Sequence, residues 1–176
     1  MISGEVRVRT DAHEVLVKPR SILVIGPAVT TKIYNSSVDA TAERQWYESV
    51  PWACPVMIDH GMRHLVLPTH PTAASNPNHR PARELRDLLL ALEEENVHHR
   101  DVHPGNILLT PDGVRLIDWE CAVREYGPSY DLYGPRPDLG PPDIHDRFPP
   151  QWWNSEDESS ILNAWGVSLT DLQEDR

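Results

Sequence analysis

The sequence predicts an α+β chain of two lobes: an antiparallel sheet with one helix, then a reduced, mainly helical half. Three observations predict it. The first third clusters or alternates aliphatic and β-branched residues between turn signals. A leucine stripe follows a polar, proline-rich connector. A polar loop then sets Asp101 and Asn106 five residues apart, and Asp118 follows twelve residues beyond Asn106, after a short apolar run.

Taken in order, Val6 and Val8 alternate with Arg7 and Arg9, the period of a half-buried strand. Residues 14–17 and 22–25 are two more apolar runs, split by the hairpin turn Lys18-Pro19-Arg20-Ser21. Gly26-Pro27 breaks the chain again. The β-branched and aromatic run 30–34 reads as a third core strand. Asp39 or Ser37 caps a helix over residues 40–49, which Pro51 and Pro55 close. Residues 55–58 and 64–67 form a strand pair, with Asp59-His60-Gly61 as the turn.

The first lobe runs over 1–70, a hinge and linker over 71–80, and the second lobe over 81–176. Pro81 suits the first turn of a helix. Leu85, Leu88, Leu89 and Leu92 follow at i, i+3, i+4 and i+7, the buried stripe of an amphipathic helix. Glu93, Glu94 and Glu95 form its solvated end, and Asn96 terminates it. Residues 107–109, 111–113 and 114–117 read as strand, tight turn and strand. The proline-rich run 127–150 needs a surface to order it. Ser155 and Glu158 form a capping box for a last helix that buries Ile161, Leu162 and Trp165. Trp152 and Trp153 read as side chains that pin this tail to a core.

A net charge of −11 over 176 residues excludes a general nucleic-acid or anionic-membrane partner, because both need clustered Lys and Arg. The two cysteines, Cys54 and Cys121, have no metal or disulfide spacing and read as ordinary reduced side chains. No basic-then-apolar leader and no run near the roughly 20 apolar residues of a membrane span is present, so the expected location is cytoplasmic. The histidine groups, His98, His99 and His103 or His60 and His64, come with no Cys or HExxH arrangement of a zinc site.

The loop chemistry is specific. Phosphoryl transfer needs one carboxylate to orient a hydroxyl and take its proton, and two oxygen ligands to hold Mg²⁺ on a nucleotide's phosphates. His99-Arg100-Asp101-Val102-His103-Pro104-Gly105-Asn106, with Leu116-Ile117-Asp118-Trp119-Glu120, resembles the catalytic and metal-binding loops of the protein-kinase-like superfamily. The wording is similar to that of aminoglycoside-phosphotransferase-type and related bacterial kinase-like proteins. The likeness continues at Gly127-Pro128-Ser129-Tyr130-Asp131-Leu132.

The resemblance implies a two-lobed kinase-like fold that uses ATP and Mg²⁺. It implies Asp101 as the catalytic carboxylate, Asn106 and Asp118 as metal ligands, and His103 as a donor to the transferring phosphate. Arg100 would pair with a carboxylate or phosphate and hold the loop. Lys32, on the third core strand, would neutralise phosphate charge, held by a glutamate. Glu43 and Glu48 compete for that task. Glu43 shares a helix face with Trp46, Tyr47 and Val50, whereas Glu48 points about 140° away, which favours Glu43. Pro68 would offer its carbonyl, and His70 its N–H, to an adenine ring. Asp131 is either the buried Asp that accepts hydrogen bonds from the catalytic loop's backbone or a simple turn residue.

Two departures bear on function. No glycine-rich loop is present: Lys18-Pro19-Arg20-Ser21 stands in its place, and Pro19 has no N–H to offer a phosphate. The acceptor-binding helices that follow the metal loop in most relatives are mostly absent. Three readings follow. The first is a phosphotransferase acting on a protein Ser or Thr hydroxyl. The second acts on a small molecule such as an aminoglycoside or metabolite. The third is a pseudokinase that regulates a partner. An activating protein partner is compatible with all three.

Overall fold

A computed structural model describes residues 6–73, 82–127 and 131. The chain divides into two compact units, Met1–Pro71 and Thr72–Arg176. Pro81, Trp152, Trp153 and the capping-box helix lie outside the described residues, as does nearly all of the proline-rich run. No described helix is long and apolar enough to cross a membrane.

The first unit is a six-stranded antiparallel sheet with one helix against it. Strands β1 (Val6–Arg9), β2 (Glu14–Val17), β3 (Ser21–Ile25) and β4 (Val29–Tyr34) form a meander. Helix α1 spans Ser37–Ser49. Strands β5 (Asp59–His60) and β6 (His64–Pro68) follow, and the sheet order is β1-β2-β3-β4-β6-β5. Side chains alternate between faces along each strand. The register sets Leu16, Leu23, Lys32 and Leu65 in one row across β2, β3, β4 and β6. Tyr34 lies opposite Ser21 on that same face. The other face carries Val6, Val17 and Ile33, which are 55%, 37% and 40% exposed.

Three expectations for this unit are corrected. Strand β1 forms, but all four residues are exposed, because it is the sheet's edge strand and its valines point away from the core. Helix α1 begins earlier than read, and its cap is Ser36, neither Ser37 nor Asp39. Ser36 has extended φ/ψ and accepts the N–H of Val38 at 3.1 Å, while Asp39 falls in the first turn, where its carboxylate complements the helix dipole. Residues 55–58 are not a strand. The partner of β6 is Asp59–His60, taken above for a turn, and the reversal is closed by Gly61 donating to His64 O at 3.0 Å. Pro55 has no N–H for a ladder, and Val56 is 78% exposed, with no core face to alternate against.

In the second unit α2 spans Ala82–Glu94, with Leu85, Leu88, Leu89 and Leu92 all buried. Asn96 ends it with φ +57°, a left-handed conformation that asparagine tolerates. Two short ladders follow. Strands β7 (Val97–His98) and β10 (Val123–Arg124) pair, as do β8 (Ile107–Thr110) and β9 (Gly113–Leu116). The β8–β9 turn holds Gly113 at φ +101°, a region that L side chains avoid. Single 3₁₀ turns cover Pro104–Asn106 and Trp119–Cys121.

Candidate active site

The first unit supplies a buried ion pair. Lys32 lies in the middle of β4 and Glu43 on the inward face of α1. Their side chains meet at 2.6 Å between Nζ and Oε2, at 6% and 2% exposure. Tyr34 donates its hydroxyl to the same Oε2 at 2.6 Å. Glu48, the rival carboxylate, is exposed and pairs with Arg44 one turn back. Tyr47 is buried one turn beyond Glu43, and burial, reinforced by the charge of Glu43, pushes its phenol pKa well up.

Pro68 ends β6 opposite Val29, and Thr69 donates its N–H to Ala28 O at 2.9 Å. His70 follows, half-buried. The β2–β3 turn is tied to the sheet. Lys18 N–H bonds Ser21 O, and Asn35 donates its N–H to Arg20 O and its Nδ2 to Pro19 O at 2.9 and 3.0 Å.

The second unit builds the loop. Its geometry follows from the β8–β9 hairpin, which sets Ile107 opposite Leu116 and lets Ile117 donate to Asn106 O at 3.1 Å. Asn106 and Asp118, twelve residues apart in sequence, are thereby brought to one end of the hairpin. Asn106 is buried and donates Nδ2 to both Asp101 O and Asp101 Oδ2, each at 3.0 Å. Those bonds commit the nitrogen and leave Oδ1 as the hard acceptor, the atom a Mg²⁺ ligand needs. Asp118 has φ +68°, a left-handed backbone uncommon outside glycine that aspartate, like asparagine, tolerates better than most residues. Cys121 lies near both carboxylates: burial first, then the charges of Asp101, Asp118 and Glu120, push its thiol up to about 12. That thiol stays protonated, so the negative field belongs to the carboxylates, as a cation site requires.

Three further groups hold the loop. Asp131 is buried and accepts His99 N–H at 2.6 Å and Arg100 N–H at 2.8 Å, so of its two readings the structure selects the buried acceptor. It is the backbone of Arg100 that bonds Asp131, at φ +67°. His99, read above only as a discounted metal ligand, is fully buried. Its Nε2 donates to Ile117 O at 3.1 Å, and its Nδ1 accepts Asp101 N–H at 3.3 Å. The ring meets Trp119 edge-on at 4.6 Å, so one neutral imidazole bridges the two loops. Nothing in the spacing of His99 singles it out; only its place beside Arg100-Asp101 could have done so. His103 caps the 3₁₀ turn, its Nδ1 accepting Gly105 N–H at 3.0 Å. A Cβ on Gly105 would meet that ring at 2.8 Å, so a side chain there would displace the His103 cap. His103 Nε2 lies 3.9 Å from Asp101 Oδ2, too far for a direct hydrogen bond.

The second unit thus unites Asp101, Asn106, His103 and the backbone of Arg100, with Asp118 at the same hairpin end. The first unit separately pairs Lys32 with Glu43. Residues 65–134 match the model of a phosphotransferase enzyme family, APH. The matched stretch includes Asp101, Asn106 and Asp118. The antiparallel sheet and single helix of the first unit accord with the α+β class read from the sequence. Solved structures similar to this chain include monomeric WbdD, at 18% identity and TM-score 0.49, covering 60% of this chain and 33% of that one. WbdD with the kinase inhibitor LY294002 is similar at 17% identity and TM-score 0.48, covering 67% and 35%. The Rio2 kinase–ADP/Mg²⁺–phosphoaspartate complex from Chaetomium thermophilum is similar at 15% identity and TM-score 0.48, covering 69% and 48%. The chain therefore spans between a third and a half of the length of these proteins. No curated protein matches it.

Proposed function

We propose that this kinase-like chain is a Mg²⁺-dependent phosphotransferase that moves the γ-phosphate of ATP to a hydroxyl, with a protein Ser or Thr as acceptor. The observation that carries the reading is the Asp101–Asn106 couple. A half-exposed carboxylate is fixed by a buried amide whose oxygen is left for a cation, on a loop that Asp131 and His99 hold from beneath.

In this reading Asp101 aligns the acceptor hydroxyl and takes its proton late. Asn106 Oδ1 and Asp118 would hold Mg²⁺, which would neutralise phosphate charge when bound. The first unit contributes Lys32, steered by Glu43, to the α- and β-phosphates, and Pro68 and His70 offer backbone groups to the adenine. His103 Nε2 donates to the transferring phosphate. Arg100 shapes the loop through its backbone. With Asn35 holding the carbonyls of the β2–β3 turn and Pro19 lacking an N–H, phosphate contact there falls to the side chains of Lys18 and Arg20.

Two rival readings have their own support. The likeness of the loop wording His103-Pro104-Gly105-Asn106 to aminoglycoside-phosphotransferase-type proteins favours a small-molecule acceptor. The tethered, glycine-free turn favours a pseudokinase that binds and regulates a partner. One experiment separates them. Mg²⁺-dependent ATP turnover is measured in the parent chain, Asp101→Ala and Asp118→Ala, with protein and small-alcohol acceptors in parallel. The expected result is turnover in the parent and a loss of about 10³-fold or more in both variants, on the scale of removing a charge-stabilising catalytic group. Turnover that both variants retain would remove this mechanism. No turnover with any acceptor would favour the pseudokinase reading.

A further inference from the structure

We propose that Tyr34 is a positioning residue that locks Glu43 against β4, so that the Lys32–Glu43 couple is assembled before nucleotide arrives and without an activating partner. The inference concerns regulation of the site proposed above and rests on the reading of Lys32 as the phosphate lysine.

Tyr34 and Lys32 are two residues apart on β4, so their side chains leave the strand on one face. Tyr34 is fully buried. Its hydroxyl donates to Glu43 Oε2 at 2.6 Å, and the ammonium of Lys32 reaches the same oxygen at 2.6 Å. Lys32 Nζ also lies 5.0 Å from the centre of the Tyr34 ring, within cation–π range. The three groups close a triangle with two corners on β4 and one on α1.

The triangle changes what happens when the lysine is used. If Lys32 alone held Glu43, turning its ammonium toward a phosphate would loosen the carboxylate and the grip of β4 on α1. With Tyr34 in place, Glu43 keeps a charge-assisted bond to the strand while Lys32 turns to its ligand. Tyr47, on the same face of α1, and Val50, which caps its end, are buried and reinforce the seat. The helix therefore stays in position whether or not a nucleotide is bound.

The test uses the full chain with Tyr34→Phe, which removes one oxygen and keeps the ring. Amide exchange across α1 and the rate of amine acylation at Lys32 are read without nucleotide, and KM and kcat for MgATP are read in turnover. The expected result is α1 exchange and Lys32 acylation faster by about tenfold, as for the loss of a charged hydrogen bond. KM rises by about tenfold, while kcat stays within about threefold, a split that general destabilisation does not produce. In the parent chain, saturating MgATP changes α1 exchange by less than about twofold, because the element is already in its bound arrangement.

Unchanged exchange and acylation in Tyr34→Phe overturn the lock, whatever turnover does. A large gain of α1 protection on adding MgATP to the parent chain overturns preassembly. Faster exchange and acylation with an unchanged KM leave the lock standing and overturn the phosphate role of Lys32. Should the variant not fold, NMR of the parent chain decides. A slowly exchanging Tyr34 hydroxyl proton near the Lys32 ammonium supports the lock, and its absence at low temperature overturns it.

Discussion

Asp131 sits where two opposing effects meet. Burial raises its pKa from the ordinary carboxylate value of 3.8 to about 6, while the N–H groups of Arg100 and His99 and the charges of His98 and Arg100 pull it down. Burial wins. A carboxyl whose folded pKa is raised favours the folded state most below the unfolded value, and that advantage is lost as pH rises through the folded value. Keeping Asp131 ionised at neutral pH therefore costs about 3 kcal/mol, and the return is an anionic acceptor for two backbone donors beneath the loop. Denaturant titrations of the parent chain and Asp131→Asn at pH 4, 5, 6 and 7.5 check this. The parent is expected to lose stability relative to Asp131→Asn across this window, by up to about 3 kcal/mol, with most of the change below pH 6. Parallel curves would place the charge in water. At this scale legibility in the sequence was uneven. Asp101, Asn106 and Asp118 stood out because their joint spacing is rare. His99 did not, because a single buried imidazole leaves no periodic mark, and its neutral bridging role depends on a hairpin that folds Ile117 back beside it.

Among the elements, the readable ones are those long enough to repeat. Helix α2 declared itself through four leucines that the structure buries, and β8–β9 through a Pro-Asp-Gly turn that the structure closes. The two-residue strands β7 and β10 were invisible, because two residues cannot show a period. Strand β1 was read as half-buried from its alternation, yet an edge strand can alternate with both faces wet. The start of α1 was misplaced because Ser36, Ser37 and Asp39 are all good caps by composition, and only backbone geometry chooses among them. Ser36 has φ −126° and ψ 138°, the extended conformation a cap requires, whereas Ser37 is already helical. Ser36→Ala is expected to lower stability by about 1 kcal/mol, and Ser37→Ala to change it by less than about 0.5 kcal/mol. Chemical denaturation of both variants decides it, and a larger loss from Ser37→Ala would move the cap. Because α1 carries Glu43, the same substitution at Ser36 also frays the element that seats the buried Lys32–Glu43 pair.

Over the whole chain, charge is distributed unevenly. Residues 1–71 carry seven Lys and Arg against seven Asp and Glu, so the net −11 belongs entirely to residues 72–176. The half bearing Asp101, Asn106 and Asp118 is therefore strongly acidic, while the half bearing Lys32 is neutral. This suits capture of a divalent cation and opposes approach of an anionic nucleotide, and the balance depends on salt because repulsion between exposed charges is screened. The Debye length falls from about 30 Å at 0.01 M to about 8 Å at 0.15 M, which removes most of the long-range repulsion but leaves the contacts of the buried Lys32 largely intact. The KM for MgATP is thus expected to fall by about twofold to fivefold over that range, at fixed free Mg²⁺, while kcat changes little. A nucleotide site governed by exposed Lys18 and Arg20 would show the opposite sign, with KM rising as salt screens their attraction. Initial rates at four ionic strengths, repeated with Lys18→Ala and Arg20→Ala, distinguish the two. A KM that rises in the parent chain and flattens in those variants would transfer phosphate recognition from the buried lysine to the β2–β3 turn.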